Sequence, residues 1–577
     1  MSVIIEAEGL DAPFLEKTPD EGRELNLVLD GENRRRRTSS NLASFELADP
    51  DILRGAHVAT CLACGGSALR DGSPLTLPGL PTGNGESYGW LLDTMSSSVS
   101  RCVPVPRRNG TVRQPYDWYE HSFSVTTIDD FWSHSWHAPY LQKLATLLIH
   151  YNGLAAYVTS MAVAAIAMVA FAVVSLAYDN KPKNVFLVKM KCKAGSDGVE
   201  DGVDPLEDWV DPHCAEPVYF SVWSEVSAII TFLLVLLFWR RKRTVFLDKI
   251  CIHQTDAEKK AQGVEGISCF LHKSCDMILL WDPSYLERLW CTFEMAAFSK
   301  TKNKDTRFLH IRPVIWGQVV IVEMALLFTI GIVDHFLADK YGLGQLAPKG
   351  GAIFGMFGEL KDKAARSALY SLVFFHTLLF MVSIHWFRVY ARGLVKLQVQ
   401  LNTFTVAQAK CFCCSVNHID PSTGARMFCD KEAVTECIVE WFGGVDDFEL
   451  YVQRDLRAHF WKQFGQLGGR TFPFNLCVAS SAPRVWAHMD KVSAYWSQQH
   501  WHAGAYYLLQ GIAYSLILYP MILQFLAFVG QYTYPKPTFL GCTWALDMFK
   551  SFLLGLPLGF VIMGGYESLG RLNQVWA

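Results

Sequence analysis

Six stretches of about twenty mostly apolar residues govern what this chain can fold into: 154–177, 218–239, 314–333, 368–387, 506–529 and 546–564. A helix needs roughly 20 such residues to cross the hydrocarbon core of a bilayer. Within lipid every backbone N–H and C=O must be bonded internally, so each stretch is expected as a membrane helix. The composition agrees, with 51% apolar and only 19% charged residues, below the quarter usual for soluble domains. At 577 residues the chain exceeds a single core and is expected to combine a membrane part with soluble parts. Its net charge of -3 excludes a general nucleic-acid binder, which would carry a one-sided basic surface. The acidic start, MSVIIEAEGLDAPFLEK, has no basic region followed by an apolar one, so insertion is expected through the first membrane helix.

Flanking cations set the orientation. RRKR at 240–243, the run Lys300, Lys302, Lys304, Arg307 and Arg312, and the group Arg388, Arg392 and Lys396 all fall on one side by parity. Both termini are then expected in the cytoplasm, although KPKNVFLVKMKCK after the first span opposes this. The loop between the first two spans would lie outside or in a lumen. Cys192 and Cys214 in that loop, and Cys542 between the last two spans, then share the oxidising side, and a Cys192–Cys214 bridge is expected. Three membrane hairpins therefore separate a tail, with residues 1–115 largely disordered, from a cytoplasmic segment 240–312 and a Cys-rich helical segment 390–503. RRRRTSS at 34–40 reads as a solvated charge run, with a kinase site or an anionic-lipid contact as alternatives.

Between the first and second hairpins the pattern changes. TVFLDKI is a short buried-strand run, CIHQTDAEKKAQGVEG a polar loop, ISCFLHKSC a short helix, DMILLW a second strand, YLERLWCTFEMAAF an amphipathic helix and RFLHIRP a third strand. Alternating strands and helices predict a parallel sheet covered on both faces. Three strands leave an open edge, and an open parallel edge is a liability. Residues 126–153, TTIDDFWSHSWHAPYLQKLATLLIHYNG, supply a further strand and helix upstream of the first hairpin. Because two spans return the chain to the same side, segments 126–153 and 244–313 can form one α/β domain split by membrane.

The order DxFxSHSW, helix, VFLDK, polar loop, short helix, SxxMxxLWxPxYxxRLWCxxE resembles the TIR domain of Toll-type and plant immune receptors. The boxes SHSW, LDKxCIxQ and RLWCxxE also resemble those of a group of multi-pass algal proteins. The resemblance covers about 100 residues of the chain and rests on four elements in matching order. It implies one of two roles, a signalling or assembly module that associates with its own kind, or cleavage of NAD at the nicotinamide–ribose bond. For the second it implies Glu294 as the key carboxylate; Ser133, Ser135, Trp136, Asp248 and Trp290 are the candidate substrate-binding residues beside it. A carboxylate there would stabilise an oxocarbenium-like ribose, with no metal required. The sequence departs from the enzymatic pattern in its Ser-His-Ser loop and in lacking an evident fifth strand. Tyr285, Leu289, Phe293 and Ala297 also read simply as a buried helical stripe. His134, Asp248, His253 and Asp256 suggest a metal site only loosely, since nothing in the sequence fixes their separation.

CFCCSVNHIDPSTGARMFCDKEAVTEC, residues 411–437, gathers Cys411, Cys413, Cys414, His418 and Cys429 in a reducing compartment. One zinc site is permitted by these residues. Acylation of juxtamembrane cysteines and simple packing are the alternatives. Among the spans, Glu323 and His376 sit at similar depth on successive helices and form a candidate polar pair. Such a pair would serve one interhelical hydrogen bond or the proton coupling of a transporter. The expected partners are membrane lipids and further copies of the chain.

Overall fold

A computed structural model describes residues 39–47, 49–70, 118–177, 187–189, 219–239, 241–341, 363–419, 429–464, 472–497, 499–532, 550–551 and 553. Eight strands are present among them: β1 (Arg54–His57), β2 (Phe123–Ser124), β3 (Ile128–His134), β4 (Leu187–Lys189), β5 (Tyr219–Ser221), β6 (Thr244–Phe246), β7 (Ser274–Trp281) and β8 (Leu309–Pro313). Six of them form one sheet in the order β2-β1-β6-β3-β7-β8. β3 pairs in parallel with β6, placing Phe131 opposite Phe246, and with β7 from Ile128↔Ser274 to His134↔Leu280. β7 in turn pairs in parallel with β8. The segments on either side of the first two membrane helices therefore lie side by side, their Phe131 and Phe246 rings stacked 4.5 Å apart.

Both sheet edges are covered. Beyond β6, β1 and β2 add as antiparallel strands. The expectation that residues 1–115 are largely disordered is therefore corrected for 39–47 and 49–70, while 1–38, with most of RRRRTSS, lies outside the described residues. The four residues of β1, RGAH, show no alternation of their own, and long-range pairing with Val245 makes the strand. Along β8 the helix Arg457–Phe464 takes the place of a further strand. Gln463 Oε1 accepts from Ile311 N at 2.8 Å, and His459 Nε2 lies 2.8 Å from Leu309 O.

Two other expectations change locally. The polar loop 251–266 contains a helix, Ala257–Glu265, started by Asp256, whose side chain accepts from Glu258 N and Lys259 N. The helix Leu289–Thr301 is buried on nearly all sides rather than amphipathic. The helix Asp430–Phe442 covers its outer face, with Trp441 5.4 Å from Phe293. It ends at Gly443, whose φ of 91° suits only glycine well, and Gly443 N donates back to Val439 O.

Three helices are long and apolar enough to cross a membrane: Tyr140–Ala177, Ile315–Ile332 and Trp501–Phe528. A shorter apolar helix, Trp223–Phe238, occupies the second expected span. The fourth lies within the helix Lys363–Asn402, and only Lys550, Ser551 and Leu553 of the sixth are described. Exposed Leu154, Ile166, Val173, Leu237 and Met521 give the bundle an apolar exterior suited to lipid. Inside, Ala156, Ser160, Ala164 and Met168 are buried at four-residue intervals, where the first two membrane helices approach closely. β4 and β5 pair at their far end. Cys192 and Cys214, between those strands, and Cys542 lie outside the described residues.

The first membrane helix is not a separate element. Tyr140–Ala177 runs unbroken for 38 residues, about 57 Å at 1.5 Å per residue. Its first turns bury Leu147, Leu148 and Tyr151 against the sheet, and the remainder passes into the bundle.

The segment 390–503 is also corrected. Residues 429–464 pack around the sheet domain, but Ala482–Ser497 lies among the membrane helices, against Tyr140–Ala177, Trp223–Phe238 and Trp501–Ala513. Asp490 caps the second span, with Oδ1 accepting from Ser221 Oγ and Ser224 N and Oδ2 from Glu225 N, all within 3.0 Å. Its buried Asp490, His488, Ser493 and Ser497 lower the hydropathy below what a span requires, yet those polar groups face neighbouring helices rather than lipid.

Candidate functional site

Among the four parallel strands, the order β6-β3-β7-β8 places the first in sequence between the second and the third. Chain connections leave in opposite directions at the β3–β7 boundary, and open α/β sheets hold their ligands at the strands' carboxyl ends beside such a point. Of the residues singled out from the sequence, Ser133, Ser135, Trp136, Asp248 and Glu294 converge there. β3 ends in Ser133 and His134, β6 runs into Asp248, and β7 runs through Asp282-Pro283-Ser284 into Tyr285 and the helix carrying Glu294.

Three connected groups make up the cluster. In the first, Ser133 Oγ donates to Glu294 Oε2 at 2.5 Å and lies 2.5 Å from Tyr285 Oη. With the single Ser133 proton on Glu294, the Tyr285 hydroxyl donates to Ser133 Oγ. In the second, Ser135 Oγ lies 2.9 Å from Ser284 Oγ, which donates to Asp282 Oδ2 at 2.7 Å. In the third, the Trp136 indole N–H donates to Asp248 Oδ2 at 2.9 Å. Asp248 Oδ1 accepts from Lys249 N, and the fully buried Lys143 places its ammonium 4.9 Å from the Trp136 ring. Ser133, Ser135 and Tyr285 are buried, whereas Glu294, Trp136, Asp248 and Ser284 keep partial access to solvent.

Burial dominates the electrostatics. It raises the Glu294 carboxyl from 4.5 to about 8, with the Ser133 hydrogen bond opposing and the Asp248 charge adding to the rise. The same cause raises Asp248 and lowers His134 to about 3, so the His134 ring is neutral. The Cys291 thiol is pushed up, first by burial and then by the Glu294 charge, and its Sγ donates to His134 O. It is a packing group rather than a nucleophile. Two buried atoms, His134 Nε2 and Asp282 Oδ1, have no hydrogen-bond partner among the described residues.

The Glu294 shift carries a pH prediction. Between 4.5 and about 8 the folded chain holds a proton that the unfolded chain releases. The resulting stabilisation is complete below 4.5 and is lost as pH rises through about 8. Glu294→Gln cannot ionise and escapes this loss. Thermal unfolding should show wild type weakening against the variant progressively from about pH 4.5 to about pH 8, by at most about 5 kcal/mol in all, and no further above that.

Trp290 does not join this cluster. Its indole hydrogen-bonds Asp430 and its ring meets Phe293 edge-on, so it belongs to the contact with the helix Asp430–Phe442. His253 and Asp256 do not complete a site with His134 and Asp248 either. His253 Nδ1 accepts from Asp256 N, and Asp256 starts its own helix. Four participants, Lys143, Asp282, Ser284 and Tyr285, were not assigned to the site from the sequence. Lys143 lies three residues after Tyr140 and four before Leu147, so a cation on an apolar stripe was its available signal. Asp282 was visible only as part of a Trp-Asp-Pro-Ser turn.

A second cluster lies beside the first. Ligand atoms of Cys413, Cys414, His418 and Cys429 all fall within 4.8 Å of one another and could hold a metal ion. Cys411 stands outside this set, its Sγ 3.2 Å from that of Cys413. In the bundle, Glu323 Oε2 accepts from Tyr519 Oη at 2.8 Å. His376 lies in the helix Lys363–Asn402, and its side chain is outside the described residues.

Compared with known protein families, with curated proteins and with solved structures, the chain matches none.

Proposed function

We propose that this protein anchors a TIR-like α/β module to the cytoplasmic face of a membrane, where the module serves signalling or assembly among copies of the chain. One observation supports a second, enzymatic role. Glu294, joined to Ser133 and Tyr285, sits at the carboxyl edge of the sheet where the strand order reverses. A partly open carboxylate, a buried serine–tyrosine relay and the unpaired His134 and Asp282 atoms suit a polar ligand such as the ribose of NAD. The expected reaction is hydrolytic release of nicotinamide.

The test uses the full chain in lipid nanodiscs, measuring NAD binding and nicotinamide release, together with self-association. Binding with turnover supports the enzyme. Self-association without NAD binding supports the module alone, and neither result would leave no place for a TIR-like reading. The Glu323–Tyr519 bond supports a packing role for Glu323 over transport. For the thiol-rich cluster, whose donors are soft, we propose zinc.

The helix Ala482–Ser497 modifies the expected topology. Asp490 meets the end of the second span remote from RRKR, so Gln499 and His500 belong to the face opposite the sheet. A cysteine at the exposed Gln499 should react with an impermeant maleimide only from that face, and labelling from the sheet side would remove the added crossing.

A further inference from the structure

We infer that zinc bound by Cys413, Cys414, His418 and Cys429 clamps the corner from which the Glu294 helix begins. A tetrahedral zinc with bonds of about 2.3 Å to sulfur holds its sulfurs about 3.8 Å apart. Cys414 Sγ and Cys429 Sγ stand 4.0 Å apart, and His418 Nε2 lies 3.5 Å from Cys414 Sγ. The backbone is already bent for this. Asn417 and His418 both have positive φ, 52° and 58°, and His418 N donates to Cys413 O at 2.8 Å, turning the imidazole back toward the thiols. Left-handed backbone at two successive non-glycine residues is costly. Metal coordination at His418 would offset that cost.

Both strands of chain that supply ligands also grip the Glu294 corner. Three residues before Cys413, Lys410 N donates to Glu287 O at 2.7 Å and Lys410 O accepts from Leu289 N at 3.0 Å. These bonds form a parallel bridge opposite Arg288, at the cap of the helix Leu289–Thr301. The Glu287 carboxylate is fixed by Lys396 and Lys410. Next to Cys429, Asp430 holds the Trp290 indole, one turn ahead of Glu294. An ion bridging Cys413–His418 to Cys429 therefore ties together two hands placed on residues 287–290. Without it, the exposed Cys414 and partly exposed Cys429 leave that grip to one short bridge, the Glu287 ion pairs and one indole bond.

This inference rests on the reading of Glu294 as the working group only for its consequence in function. Its test is made without substrate. Full-length protein purified under reducing conditions should contain about one zinc per chain by elemental mass spectrometry. Cys414→Ser with Cys429→Ser should lose it. Removing zinc from wild type with a chelator should speed amide exchange across 287–296 about tenfold or more, while β3 and β7 stay protected. Chelation of wild type covers the case in which the double variant does not fold. Protein that neither contains nor takes up zinc, or in which Cys414 and Cys429 form a disulfide, overturns the site. Zinc bound with exchange at 287–296 unchanged on its removal overturns the clamp. Absence of NAD cleavage bears on neither readout.

Discussion

On the proposed enzymatic role, replacing Glu294 by alanine should reduce nicotinamide release from NAD by at least about a hundredfold, the scale set by removing one group that stabilises transition-state charge. Glu294→Gln should fall nearly as far, since it keeps the shape and loses the charge. The step breaks the bond between the nicotinamide nitrogen and the ribose carbon, leaving positive charge on the ribose. Only the ionised carboxylate stabilises that charge. Burial keeps Glu294 protonated up to about 8, so kcat/KM should rise with pH through that value. Tyr285→Phe removes the donor that holds Ser133 toward Glu294. It should shift this pH profile while leaving some turnover. An E294A protein that cleaves NAD as fast as wild type would dismiss the carboxylate, and one that still self-associates would leave the module intact.

The second large effect is expected at Gly317, where β8 has just passed through Val314 into the third membrane helix. A Cβ there would stand 2.2 Å from Thr146 N and 2.3 Å from Ala145 C. Both are backbone atoms of the first membrane helix and cannot rotate away. Gly317 N also donates to Thr146 Oγ1 at 3.1 Å. Gly317→Ala must therefore push the two helices apart at the level of the sheet. Overpacking typically costs about 1–3 kcal/mol, and more where backbone is the obstacle. We expect Gly317→Val to leave little folded protein. Gel filtration in detergent and thermal unfolding will read this. Normal yield and midpoint for the valine variant would contradict the close crossing.

Two strands at the sheet's centre were legible in the sequence because each lies in a compact apolar run, TVFL and MILLW, and IDDFW was legible through its place ahead of the serine loop. Their parallel arrangement followed from the helical segments between them, and the pairing of β3 with β6 from the need to cover an edge. β1 was hidden because RGAH has no pattern until Val245 lies beside it. The embedded helix Ala482–Ser497 escaped because its polar residues serve as interior bonds. Asp490 reads as a soluble charge in one dimension and as a cap for Ser224 and Glu225 in three. Glu294, Ser133 and Ser135 were found through the order of their boxes. Tyr285 read as stripe because its hydroxyl points along the same inward face as its ring. For the cysteines, ligand type was visible from composition, but which four donors meet needed the folded chain, with the left-handed turn at Asn417 and His418.

The 38-residue helix that starts at the serine loop and ends in the bundle leaves no joint at which the module could swivel. It behaves as a stiff rod seated in both compartments. The loop carrying Ser135 and Trp136 thus has its foundation in the bundle as well as in the sheet. A water-soluble excision of the sheet would have to cut this rod and would lose that foundation.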